Sequence, residues 1–208
     1  MKKLGNTVLL AVCFLTLLLC FFAGTIRSMV RHQAKVFSVI PPPNLLRNGD
    51  LILRQGNSFV SEVMKNFSLT EKKYSHAGII HLEGGKVFVY HIIAVDNGKP
   101  SVMLKEPISL FCNSTDNSSY AVFRTNANPV DVDREATKLF ASHPQFDTYF
   151  DLSTDSLLYC TELVYKVFEK ACPNKKIIHL SNLKGHEFVA CDNLYLGNDS
   201  KLIYSYSY

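Results

Sequence analysis

Apolar and polar residues follow two different periods along this chain, and the change from one to the other divides it into elements. After the turn Asn48-Gly49-Asp50, the run Leu51-Ile52-Leu53 predicts a strand. Phe59, Val63 and Phe67 recur every fourth residue within 57–67, which predicts a short helix. Ser75 to Leu82 and Lys86 to Val95 are β-rich runs joined by Glu83-Gly84-Gly85, a hairpin signal. Residues 113–119 read as a polar loop, and Tyr120 to Arg124 as a further strand. Pro129 to His143 predicts a helix with acids in its first turn and Pro144 beyond its end. The strongest helical stripe is Leu163, Val164, Val167, Phe168 and Ala171, within a helix predicted over 157–171 and stopped by Pro173. The tail, Leu-Ile-Tyr-Ser-Tyr-Ser-Tyr, reads as a final strand or a ragged end. Strand, helix, hairpin, strand, helix, helix is the order of an α+β domain: a small antiparallel sheet packed with helices.

The N-terminus has a different character. Met1-Lys2-Lys3 precedes residues 7–24, which are uncharged and almost wholly apolar. As a helix they would span ~27 Å, near the thickness of a bilayer core. Residues 1–24 are therefore read as a signal peptide or membrane anchor. Bulky Phe21 and Phe22 crowd a cleavage site, which favours an uncleaved transmembrane helix with the rest of the chain outside the cytoplasm, membrane-anchored or secreted. Residues 25–43 read as a linker ending in Pro41-Pro42-Pro43, and 44–208 as the functional domain.

Composition narrows the function. Apolar residues at 47% and charged residues at 19% fit a folded domain. The net charge of +4 is scattered without a basic stripe, so nucleic acid is not an expected partner. Of six cysteines, Cys13 and Cys20 lie in the apolar segment. Cys112, Cys160, Cys172 and Cys191 show no C-x-x-C spacing, which argues against zinc and leaves disulfide pairing open. Asn66, Asn113, Asn117 and Asn198 begin Asn-x-Ser/Thr triplets, which matter only in a eukaryotic secretory pathway. No phosphate-binding loop, zinc-protease motif or G-x-S-x-G elbow occurs, and no cofactor is implied.

What is left is a thiol and two imidazoles. Cys160 falls at the start of a helix, where the dipole and free N–H groups favour a thiolate and can hold an oxyanion, with Asp155 or Ser156 as the cap. His76 lies in the apolar strand Tyr74-Ser75-His76-Ala77-Gly78-Ile79-Ile80, where an imidazole needs a partner or a task. His91 lies on the second arm of the hairpin, close enough for two rings to meet across it. His81 falls on the opposite face from His76 and reads as a rim residue. His143, His179 and His186 read as surface residues.

Three motifs in this order, Gly49-Asp50-Leu51-Ile52-Leu53, Tyr74 to Ile80 and Leu158-Tyr159-Cys160-Thr161-Glu162-Leu163-Val164, resemble the permuted papain-like amidases, the YiiX-like branch of the NlpC superfamily. The likeness covers about 44–171. It implies a circularly permuted papain-like domain in which the histidine precedes the cysteine. It also implies a cysteine hydrolase of amidase or peptidase type acting through a thioester at Cys160, with His76 as general base. Relatives usually carry an acid where this chain has His91, so His91 is expected in the third catalytic role. Tyr74 and Tyr159 flank the two catalytic residues and are expected to line the substrate groove. The resemblance points to a cell-wall peptide or an acylated lipid as substrate. The alternative is a ligand-binding module that kept the fold without catalysis.

Overall fold

The computed structural model describes residues 37–94, 101–197 and 200–208. The predicted apolar segment 7–24, and with it the expected anchor, lies outside them. Among the described residues no helix is long and apolar enough to cross a membrane.

Among the described residues six strands form one antiparallel sheet. They are β1 (Leu51–Gly56), β2 (His76–Glu83), β3 (Lys86–Ile92), β4 (Met103–Pro107), β5 (Asn117–Arg124) and β10 (Lys201–Ser207). Their order across the sheet is β10-β5-β1-β2-β3-β4. Two small pairs lie apart from it: β6 (Gln145–Phe146) with β7 (Leu157–Leu158), and β8 (Ser181–Leu183) with β9 (His186–Phe188). The helices are α1 (Phe59–Lys65), α2 (Ile108–Phe111), α3 (Pro129–Ala141) and α4 (Cys160–Ala171).

Strand alternation sends side chains to two cores. Leu51, Leu53, Ala77, Ile79, Tyr90 and Ile92 join the stripes of α3 and α4 on one face. Ile52, Ile80, Val89, Tyr120 and Val122 pack with Ile108, Phe111 and Cys112 on the other. The expected α+β arrangement of an antiparallel sheet with packed helices is what forms.

The hairpin turns at Gly84 and Gly85, both at positive φ (57° and 75°), a conformation that costs glycine little. Gly49-Asp50 serves the fold. The Asp50 carboxylate, almost fully buried, accepts from Arg124 Nε (2.8 Å) and Nη2 (2.7 Å) and from the Arg47 N–H (2.8 Å). That satisfies a buried charge with a forked guanidinium.

Several expectations are corrected. Residues 37–43, read as linker, are tied to the domain: Ser38 Oγ donates to Ser109 O (2.7 Å) and Tyr120 Oη to Val39 O (2.7 Å). Helix α4 begins at Cys160, three residues later than expected, because Leu157 and Leu158 pair in parallel with Gln145 and Phe146. Asp155 is not its cap; it pairs with Lys166 and Lys170, about two and three turns along the helix. The polar run before Tyr120 already belongs to β5 from Asn117. The tail is a full edge strand.

Candidate active site

Cys160 is the first residue of α4 and is only 8% exposed. The preceding N–H, that of Tyr159, donates to the Glu162 carboxylate (3.3 Å). The backbone N–H groups of Ala77, Thr161 and Cys160 itself act on the sulfur as donors. Cys160 thus sits against the start of β2 at Ala77, the residue after His76, and both Cys160 and His76 line one cleft.

His76 opens β2, opposite Arg54 of β1. Its Nε2 lies 3.0 Å from Nδ1 of His91 on β3. The two rings meet edge to face, with centroids 5.2 Å apart. They can meet because the residue between His76 and Ile80 on that face is Gly78. A Cβ there would come within 2.5 Å of Val89 Cγ1, 2.9 Å of Tyr90 O and 3.2 Å of His91 Cβ. Phe111 from α2 closes the cluster, against both imidazoles and beneath the Arg54 guanidinium, whose carbon lies 4.4 Å from the ring centre. Arg54 Nη1 donates to Phe111 O (2.9 Å).

His91 is fully buried, yet its outer nitrogen faces a charge. Nε2 lies 3.2 Å from Oε2 of Glu106 on the edge strand β4. The approach is bent out of hydrogen-bond alignment, and Nε2 has no other partner. Because His91 pairs with Leu104, Glu106 is two residues along β4 on the same face, the diagonal position across an antiparallel pair.

Burial governs the protonation states. It raises the Cys160 thiol above its ordinary value; the backbone donors and Arg54 pull the other way without overcoming it. Burial likewise pushes the His76 imidazole well down, and the positive charge of Arg54 adds to this. Desolvation thus works against the expected thiolate at the helix start and favours the neutral forms of both groups. Among the described residues no hydrogen bond joins the thiol to the His76 ring.

Two cavities meet at Cys160. One, of about 890 Å³, is a cleft with polar lining from Arg54, Asn57, Ser61, His76 and Asp116. The other, of about 310 Å³, is apolar, with Met64, Phe67, Tyr149, Phe150, Phe188 and Val189 in its walls. Met64, Ser75, Phe150, Tyr159 and Cys160 line both.

Tyr159 stands on the wall, as expected, with its hydroxyl accepting from the Val189 N–H (2.9 Å). Tyr74 does not. It is buried in the core against Phe123 and Tyr195. His81 is also no rim residue: it is buried, with Nδ1 2.7 Å from Asp133 Oδ1. His143, His179 and His186 are exposed, and His186 borders the apolar cavity. Cys112, Cys172 and Cys191 are free thiols, and burial raises each of them too. Arg54, Phe111 and Glu106 were not found by sequence reasoning.

A helix that starts with a cysteine, laid against a sheet whose central strand β2 carries the histidine earlier in the chain, is the papain-like arrangement with its two halves in permuted order. The chain belongs to the permuted papain-like amidase family, YaeF/YiiX, C92, whose model matches residues 45–189. No curated protein matches it. Among solved structures it is similar to one described as metalloprotein YiiX from Escherichia coli O157:H7. Identity is 15%, with a TM-score of 0.62, over 78% of this chain and 98% of that one. At that identity the likeness concerns the fold. Among the described residues no group of three His, Cys, Asp or Glu side chains is arranged to hold a metal ion.

Proposed function

We propose that this member of a papain-like amidase family cleaves an amide or ester through a thioester at Cys160, with His76 as general base and His91 holding the base in place. The observation that carries the reading is that Cys160, at a helix N-terminus, and His76 line the same cleft. Because His76 Nε2 is engaged by His91, Nδ1 is the nitrogen left to act as base. It takes the thiol proton as sulfur attacks the carbonyl carbon. The oxyanion that forms is served by backbone N–H groups around the sulfur. Collapse expels the amine or alcohol, which leaves with the proton from His76. Water, deprotonated by the same nitrogen, then splits the thioester and frees the acid and the thiol. A neutral thiol–imidazole pair suits this route, since proton transfer then accompanies attack.

The apolar cavity favours an acylated substrate over an unmodified cell-wall peptide. Its mouth carries exposed Phe67, Tyr149 and Leu183, with Tyr149 84% exposed. An acyl chain fits there, and the polar cleft takes the amine or alcohol part. The test is turnover of p-nitrophenyl esters of rising chain length beside peptidoglycan stem peptides, by the parent and by Cys160→Ala. The expected result is Cys160-dependent turnover that improves with chain length. Turnover that survives Cys160→Ala overturns the mechanism. Cys160-dependent cleavage of stem peptides alone overturns the substrate preference and leaves the mechanism standing.

A further inference from the structure

We propose that Glu106 is a positioning residue of this site: its carboxylate fixes the tautomer of His91, and His91 in turn fixes that of His76. The inference rests on the reading of Cys160 as nucleophile and His76 as base.

Two contacts in line carry it. For His76 to accept the thiol proton at Nδ1, its own ring proton must sit on Nε2. That N–H then donates across 3.0 Å to His91 Nδ1, which must be bare to accept. The ring proton of His91 is thereby placed on Nε2, the nitrogen that faces Glu106 Oε2 at 3.2 Å. In the opposite arrangement His91 is protonated at Nδ1 and donates to His76, so His76 is protonated at Nδ1 and cannot serve as base. That arrangement also aims a bare His91 Nε2 at a carboxylate oxygen, two acceptors face to face at a buried site. An ionised Glu106 disfavours this state and selects the active one.

Glu106 is suited to the part. Burial alone would raise its carboxyl, but the contact with His91 and the charge of Arg54 outweigh it and hold the group below its ordinary value. Nothing else among the described residues satisfies His91 Nε2, so no other group competes for the role. The bent approach needs only a small shift of a side chain that is one-quarter exposed, and alignment that tightens on binding is usual in resting sites. When His76 becomes an imidazolium, the same line of contacts brings a negative charge to bear on it one ring away.

The test uses the full chain, labelled with ¹⁵N-histidine. Long-range ¹H–¹⁵N correlation at neutral pH reads the ring tautomers directly. His76 and His91 are both expected to be protonated at Nε2. In Glu106→Gln, which can turn an amide N–H toward His91, the single tautomer is expected to be lost. Its kcat on p-nitrophenyl acetate is expected to fall between about tenfold and about a hundredfold with KM unchanged. Glu106→Asp is expected to restore the tautomer and part of the rate, which a purely structural role would not require. Parent protein with His91 protonated at Nδ1 overturns the proposal, and this measurement needs no variant to fold. A Glu106→Gln variant with parental rate and tautomers overturns it as well. If Cys160→Ala still hydrolyses the ester, the reading of the site fails and the inference falls with it. If Cys160→Ala is dead while Glu106→Gln behaves as the parent, the reading stands and the inference alone falls.

Discussion

Glu162 sits two residues beyond the nucleophile, fully buried, with one carboxylate oxygen accepting from the Tyr159 N–H (3.3 Å) and the other without a partner. Burial raises its pKa from 4.5 to about 8; the Tyr159 N–H and Lys166 act against the shift, and Asp147 and Asp151 add to it. The folded protein therefore keeps this proton up to about pH 8, whereas the unfolded chain releases it near 4.5. Between those limits the native state binds the extra proton, so stability falls as pH rises. The limiting slope is about 1.4 kcal/mol per pH unit, and the whole window is worth on the order of 3–5 kcal/mol. Glu162→Gln removes the titration while keeping the shape and one acceptor. Urea unfolding at fixed ionic strength, at pH 5, 6, 7 and 8, measures both proteins. The variant's advantage over the parent is expected to grow steadily across the series and to level off above pH 8. A difference that is the same at pH 5 and pH 8 refutes the buried, protonated Glu162. The point matters for the site because a neutral Glu162 leaves the positive end of α4 to the Cys160 sulfur rather than consuming it.

Two further perturbations probe the residues around the imidazoles. Arg54→Gln removes a cation that lowers the Cys160 thiol and also lowers His76. The pH midpoint of Cys160 alkylation by iodoacetamide should therefore move up, and a midpoint that stays or moves down contradicts the electrostatic role. Gly78→Ala drives a methyl group into Val89 and the backbone of Tyr90. It should cost about 1–3 kcal/mol in urea unfolding and abolish Cys160-dependent ester turnover; parental stability would mean the strands do not approach as closely as described.

The hairpin was legible because Gly84-Gly85 at its turn and alternation along both arms point the same way, and the structure ends β2 and β3 within a few residues of the expected limits. His76 and Cys160 were singled out by the motifs around them, and His91 by its place on the facing arm of the hairpin. Glu106 was not. Met103–Pro107 is a short edge strand carrying Lys105, Glu106 and Pro107, residues that natural sheets place on edges and that a sequence reader assigns to a loop. Arg54 was missed because the apolar run stops at Leu53 although the strand continues to Gly56. The 3.6-residue pattern of Phe59, Val63 and Phe67 did predict α1, but not its setting: Phe59 is 83% exposed, since periodicity tells that a face is apolar and not what covers it. His81 was misplaced because its partner, Asp133, is 52 residues away in sequence.

The same sheet geometry favours a histidine over an acid at position 91. Position 91 is fully buried and walled by Phe111. A carboxylate placed there would lose its hydration with only Arg54 and His76 nearby to compensate, at a cost of several kcal/mol. A neutral imidazole carries no such penalty and still offers one donor and one acceptor on opposite sides of its ring. Its outer nitrogen is thereby turned toward Glu106, one strand further, whose side chain at the sheet edge is about one-quarter exposed. The negative charge that would orient the base is not lost from the site under this view. It is displaced across one strand spacing, ~5 Å, to the nearest place where water still helps to hold it.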